Sequence, residues 1–473
     1  MTDQYFESKE FKEKLQKYEN AMQNGQPLYL EPDDLTDIAE YYHLKENYKE
    51  ALHAADYALT LFPGATAPLA FRARYALLKE NDTQKALQWA ERIEDKTDLE
   101  YFYIIAEIKI VGQDIDGAAQ YLKERMKEID DDDLADYVLD VATLFADYDA
   151  MDKAQEWLSL SDETDVPDYK ELQGRIALNK GNYKESEDIF NALLDEDPFS
   201  SPYWNRLASS QFMRNHINDS ITSSEFSIAI NPNDEEAILN KANGLFSLEN
   251  YEEALIYYRR FTHLCPEEET GYLFQGITLL NLNRTQEALQ KLKEAEEKAS
   301  KQSSNLLEIY QQLSFTLSHL GHFDEALSYI DKAEKLNDAE KGEMNVLRGH
   351  LLLEHERQKE AQIYFQKALS ESKDSPSIIL HIAISVYDCG YLKFSYKLFK
   401  ELYYTEKGND MLEGYSYFAM CCRDMKHYEE YLQVLKKACE LNPSEAKNVL
   451  GEYFPREVEP SQYYQYALTH PQK

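Results

Sequence analysis

The sequence predicts an all-α protein built from one repeated unit, a pair of short antiparallel helices. Three observations lead there: small residues recur at a steady interval, helix formers dominate, and turn formers are scarce. The 473 residues include only 16 Gly and 14 Pro, too few for a loop-rich all-β fold with its many special turn positions. Long stretches rich in Ala, Leu, Glu and Lys favour helix. Apolar residues make up 43% and aromatics 12%, with 36 Tyr, so a large core can be buried and disorder is not expected.

The repeat is read from four similar phrases, at 46–63, 181–198, 249–266 and 321–338. Each has an aromatic, then Ala or Ser three residues later, then mostly apolar residues four and seven further on. The small residue continues as Ala51, Ala86, Ala118, Ala154, Ser186, Ser220, Ala254, Ala288, Ala326, Ala361 and Ser395, and ends at Tyr431. The intervals are 35, 32, 36, 32, 34, 34, 34, 38, 35, 34 and 36. A second small series lies twelve residues earlier: Ala39, Ala106, Ala142, Gly174, Ala208, Ala242, Gly276, Ser314, Gly349, Ala383 and Ala419. The second unit breaks register with Arg74, where Ala73 substitutes after a one-residue slip. Helices approach most closely where both carry small side chains, and larger apolar residues fill the rest of the seam. Pro63, Pro198, Pro232, Pro266 and Pro443 stop the second helices.

The period, the aromatic–x–x–Ala phrase, the terminal Pro and Trp204-x-x-Leu207-Ala208 together resemble the tetratricopeptide repeat (TPR) family, in the style of bacterial cytoplasmic members. About twelve units span Pro32 to Pro443; Tyr431 and Arg74 depart from the pattern. The resemblance implies a right-handed superhelical α-solenoid whose first helices line a concave groove. The expected organisation is an N-terminal capping helix within 1–31, units 1–8 over 32–300, units 9–12 over 301–443 after a longer connection, and a C-terminal cap and Tyr-rich tail over 444–473. End repeats need such covers, because each unit buries its face only on a neighbour. Residues 2–22 read as one amphipathic helix and 444–454 as the final cap, with Ser444 its N-cap candidate. Tyr463, Tyr464 and Tyr466 dock on the last helices or bind a partner, docking being placed ahead. The polar stretch 298–305 either extends a helix or forms a hinge.

Chemistry is mostly absent. There is no GxGxxG, P-loop, GxSxG or HExxH, so no enzyme, cofactor or metal is expected. His350 and His355 lie five apart, on different helix faces. His319 and His322 fit a solvated turn better than a metal site. Cys421 and Cys422 read as core, and five cysteines without CxxC read as reduced thiols in a cytoplasm. The run Ile129–Asp133 lacks the spaced oxygens and Gly of a calcium loop, and suits the start of a helix near Leu134 instead. The opening MTDQYFESKE lacks the apolar stretch of a signal peptide. The most apolar segment, Ser377–Val386, has ten residues, against about twenty for a membrane span.

With 50 Lys+Arg against 87 Asp+Glu, the formal charge is −37. That disfavours nucleic acid and anionic membranes and suits basic or neutral protein partners. Family groove positions, transferred residue by residue, give three stretches. The first is Asp37, Glu40, Phe71, Arg72, Tyr75, Tyr103, Glu107, Asp140 and Thr143, suited to a Lys- or Arg-bearing peptide. The middle is Arg175, Asn205, Arg206, Ser209, Asn240 and Asn243, able to bond an extended peptide and fork onto a carboxylate. The last, Gln312, Phe315, His350, His381, Ile384, Tyr417 and Met420, is more apolar. The family's carboxylate clamp is not supported: Asn205, Ser209, Asn240, Thr270 and Phe274 stand at its positions, and only Asn240 fits. The expected function is therefore a non-enzymatic protein-interaction scaffold holding a peptide or helix in the groove. The alternative is a chaperone or assembly factor holding unfolded clients. Partner, pathway and oligomeric state are not legible.

Overall fold

The computed structural model describes residues 3–6, 8–25, 28–130, 132–337, 339–373, 375–404, 411–455 and 457–470. Among these residues there are helices and no strand. The chain packs as two compact units, Met1–Pro232 and Asn233–Lys473. The helix pairs of the first unit are Pro32–Leu44 with Tyr48–Leu61, Thr66–Leu78 with Thr83–Ala90, Leu99–Val111 with Ile115–Arg125, Leu134–Asp147 with Met151–Leu158, Pro167–Asn179 with Tyr183–Glu196, and Ser201–Met213 with Ile217–Ile230. Those of the second are Glu235–Ser247 with Tyr251–Leu264, Glu269–Asn281 with Thr285–Lys298, Leu306–His319 with Phe323–Ala333, Lys341–Glu354 with Gln358–Glu371, Pro376–Asp388 with Leu392–Tyr403, and Tyr415–Asp424 with Tyr428–Leu441.

One left-handed residue closes the turn inside each pair, and the revealing phrases begin on it: Glu46 (φ 56°), Gly181 (80°), Glu249 (60°) and Gly321 (80°). The turn is a Schellman arrangement. Asn47 N–H bonds Tyr42 O and Glu46 N–H bonds His43 O, each at 2.9 Å, which satisfies carbonyls at the helix end. The chain then re-enters helix at the phrase's aromatic, Tyr48, Tyr183, Tyr251 or Phe323.

The two small series face each other inside each pair. Every member of the second-helix series from Ala51 to Ser395 is fully buried. At three of the four Ser in these series the hydroxyl bonds the opposing backbone: Ser186 Oγ to Gly174 O at 2.9 Å, Ser314 Oγ to Ala326 O at 3.0 Å, and Ser395 Oγ to Ala383 O at 2.8 Å; Ser220 Oγ is buried without such a bond. Such contacts leave no room for side-chain volume. A Cβ on Gly349 would lie 2.4 Å from Phe365 Cε1. Gly349→Val is expected to cost about 1–3 kcal/mol by overpacking, read as a lower urea midpoint for the second unit.

The stretch 298–305 does not extend a helix, since one helix ends at Lys298 and the next begins at Leu306. It is a stapled turn. Lys298 Nζ pairs with Glu267 at 2.8 Å, and Ser303 Oγ and Asn305 Nδ2 bond Glu269 Oε1 at 2.6 and 3.1 Å. One core runs past it, joining Leu289, Leu292 and Ala295 to Ile309, Leu313 and Leu317.

The ends differ in detail from the sequence reading. The N-terminal cover is two helices, Asp3–Phe6 and Lys9–Asn24, because Ser8 acts as N-cap and accepts from Phe11 N–H at 3.1 Å. The single helix expected over 2–22 is thereby corrected. The C-terminal cap helix is Pro443–Leu450, and its N-cap is Asn442, not Ser444: Asn442 Oδ1 accepts from Glu445 N–H at 3.0 Å. Pro443 at the first helical position explains the shift, since its missing N–H costs nothing there. The tail docks as expected. Tyr463 is buried in the last core cluster and stacks on Phe454 at 3.9 Å. Residues 471–473 of the tail, and Asp131 of the acidic run, lie outside the described residues; the helix after that run begins at Leu134.

Candidate partner-binding face

In the first unit, the first helices bring together carboxylates, tyrosines and two arginines. Asp37 is 8% exposed and accepts from Tyr5 OH at 2.7 Å. Burial raises its pKa, against the lowering effect of that hydrogen bond. Glu40, one turn on, is half-buried; burial and then the charge of Asp37 raise its pKa. Asp140 is raised by burial, with Tyr103 OH donating to it at 2.9 Å as a partial offset. Glu171 is raised by burial too, only partly relieved by Arg175. Arg175 itself pairs with Asp147 at 2.6 Å.

Arg74 is a further cation on these first helices, and the sequence register concealed it. Ala73 is fully buried in the small position, so the one-residue slip is real, and it carries the groove positions along. Arg74 Nε lies 3.0 Å from both Glu107 oxygens, Nη2 lies 2.8 Å from Oε1, and Nη1 reaches Glu100. Burial alone would lower the Arg74 pKa, but Glu107 and Glu100 raise it further. Tyr148 OH adds a 3.3 Å bond to Glu107.

The same slip bears on three expected lining residues: it takes Arg72 and Tyr75 out of groove register and leaves Phe71 in it. Phe71 is a core residue, 9% exposed, set edge-on to His43. Tyr75 packs edge-on against His43 and Tyr48. Arg72 turns to the second helices, 3.3 Å from Asp56 and over the Trp89 ring at 4.6 Å. Tyr103 stacks on Tyr137.

The middle stretch divides between the two units. Asn205 is buried and Arg206 and Ser209 are half-buried in the first. In the second, Asn240 is half-buried and Asn243 Oδ1 accepts from Tyr258 OH at 2.8 Å. Of the residues at the clamp positions, Thr270 bonds Asn305 at 3.2 Å and Phe274 stacks on Tyr258.

The second unit's first helices Leu306–His319, Lys341–Glu354 and Pro376–Asp388 line an open cavity of about 550 Å³. Phe315 meets His350 edge-on at 5.6 Å, and His381 Nδ1 lies 2.8 Å from Glu343 Oε1. That hydrogen bond raises the His381 pKa. Among the described residues no group of three or more His, Cys, Asp and Glu is placed to hold a metal. Cys421 and Cys422 are fully buried, and burial pushes the Cys421 thiol up to about 11. No described helix is long and apolar enough to cross a membrane.

A family model described as tetratricopeptide repeat matches residues 239–303 and 317–376. No curated protein matches the chain. Among solved structures, the Cut9 and Hcn1 hetero-tetramer of the APC/C shows 15% identity over 93% of this chain and 88% of its own, with a TM-score of 0.44. Yeast Tom70 shows 13% identity over 93% of this chain and 96% of its own, again at 0.44. MamA shows 18% identity over 34% of this chain and 92% of its own, at 0.32. The matched segments are tetratricopeptide repeats, and they carry the helix pair, the left-handed turn and the facing small residues found elsewhere along the chain.

Proposed function

We propose that this chain is a non-catalytic protein-binding scaffold whose first unit holds an extended basic segment of a partner along its first helices. The supporting observation is the set Asp37, Glu40, Asp140 and Glu171, on the first helices of three repeats, each with its pKa raised chiefly by desolvation. A Lys or Arg side chain laid there relieves that strain, and Tyr103 offers it an aromatic neighbour. Arg175 and Arg206 follow on the same unit and suit a carboxylate further along the partner. Asn205 and Ser209 in the first unit, and Asn240 and Asn243 in the second, are proposed amide and hydroxyl contacts, each within its own unit. The grouping of repeats at 32–300 and 301–443 stays part of this proposal. So does a cytoplasmic location, which five cysteines outside any disulfide suit.

The sign of the pH dependence follows. A folded-state pKa above the unfolded value means that the ionised group opposes folding, and that the opposition disappears as pH falls below the unfolded value. A bound cation therefore stabilises most at neutral pH and least in acid. The test is anisotropy of a labelled twelve-residue Lys/Arg peptide. Affinity is expected to fall with salt and between pH 7 and pH 4. It should also drop at least about tenfold, or 1.4 kcal/mol, in Glu40→Gln/Asp140→Asn/Glu171→Gln. That variant changes the charge only from −37 to −34, so unchanged binding would reveal diffuse attraction and sink the assignment. Capture of many unrelated unfolded chains would favour the holding reading.

A further inference from the structure

The cavity of the second unit contains a nucleophile beside a base, and neither takes part in the basic-segment reading. Cys389 follows the helix Pro376–Asp388 and is half-buried; the other four cysteines are buried. Its Sγ lies 3.9 Å from His350 Nδ1, and Ser385 Oγ lies 3.0 Å from the same nitrogen. The opposite nitrogen, His350 Nε2, lies 3.5 Å from Glu354 Oε1. Glu354 is itself held by Ser318 Oγ at 2.7 Å and faced by His319 at 3.5 Å. The imidazole thus has sulfur on one edge and a carboxylate on the other, the arrangement that favours an imidazolium and a reactive sulfur. Burial by itself would lower the His350 pKa, but Cys389 and Glu354 raise it to about 10.

We propose that Cys389 is a thiol activated by His350, and that it takes an amine-bearing low-molecular-weight disulfide into this cavity as a mixed disulfide. The volume of about 550 Å³ is within the range of small-molecule sites. The preference for an amine comes from the carboxylates on the wall, Glu343, Glu354 and Asp388. His319, His350 and His381 complete the titratable lining. In the step, the sulfur proton passes to His350 Nδ1 and Sγ attacks one sulfur of the reagent. The reagent's S–S bond breaks as the new S–S bond forms. The departing half leaves as a thiolate with the electron pair and takes up a proton. Cys389 sulfur is oxidised and the departing sulfur reduced, so the disulfide is the oxidant and no other is needed.

Cystamine and oxidised glutathione are the probes, added to the reduced full chain at pH 7, with adducts located by peptide mass spectrometry. Cys389 is expected to be modified several-fold before any other cysteine, and cystamine to outpace the anionic glutathione disulfide. His350→Gln should slow the Cys389 step at least about threefold. The four buried thiols should remain slow, which certifies the fold. If they become fast, Glu354→Gln, which keeps the imidazole, supplies the same test at Cys389. Equal rates at all five thiols, an unchanged Cys389 rate in the folded variant, or glutathione disulfide outpacing cystamine would overturn the proposal.

Discussion

Arg74→Met is expected to destabilise the first unit by about 2–4 kcal/mol. Removing one partner of a buried ion pair typically costs about 3–5 kcal/mol, because the other charge is left uncompensated. Glu107 is the charge left behind, with its side chain 8% exposed, whereas Arg74 is 34% exposed. Water reaching the arginine side moderates the loss, which sets the lower range. Tyr148 OH, at 3.3 Å from Glu107, is a single neutral donor and offsets only part of it. The double variant Arg74→Met/Glu107→Leu is expected to recover most of the loss, since an apolar pair of similar volume serves as well as an ion pair. Urea unfolding followed by tryptophan fluorescence reads both variants through Trp89, Trp157 and Trp204, all in the first unit. A single-variant loss under about 1 kcal/mol would place the pair among ordinary surface ion pairs.

Arg74 also shows where the sequence was legible. The small residues at a steady interval revealed the helix pairs, because close packing forbids volume at those positions whatever lies on the outside. The same logic flagged Arg74 as impossible there and Ala73 as its substitute, and Ala73 is fully buried. Carrying that slip to the lining would have moved Arg72 and Tyr75 off the list, kept Phe71 on it and added Arg74. The pairings themselves were not legible: Tyr5 to Asp37, Tyr103 to Asp140 and Arg74 to Glu107 join residues 32, 37 and 33 apart. In a chain of charge −37, carboxylates are too common for spacing alone to select these. The pairing of Cys389 with His350 escaped notice for a related reason. They lie 39 residues apart, on neighbouring repeats, and no local motif links them. Had the groove positions been compared between adjacent repeats instead of within each, His350 could have been tested against Ser385 and Cys389.

Truncation after Asn442 is expected to have the largest effect, and to be local. It removes Leu450, Phe454 and Tyr463, which are 0%, 9% and 4% exposed in the last core cluster. At about 1.5–3 kcal/mol for each large apolar side chain, the loss is about 5–9 kcal/mol. It also removes Glu445, whose carboxylate accepts Gly414 N–H at 2.6 Å and Ser416 N–H at 3.0 Å. These donors lie at the start of the helix Tyr415–Asp424, where backbone N–H groups have no partner within the helix. Tyr431, the large residue in the last small position, borders a pocket lined by Tyr453, Phe454 and Tyr466, so its ring is enclosed by the cap itself. In a repeat array each unit depends on its neighbours alone, so hydrogen exchange should show protection lost across 415–441 and retained before Pro376. Loss of protection throughout the second unit would instead mean that its pairs fold as one block. Were the tail a partner-binding segment only, with no covering role, protection of 415–441 would survive the truncation.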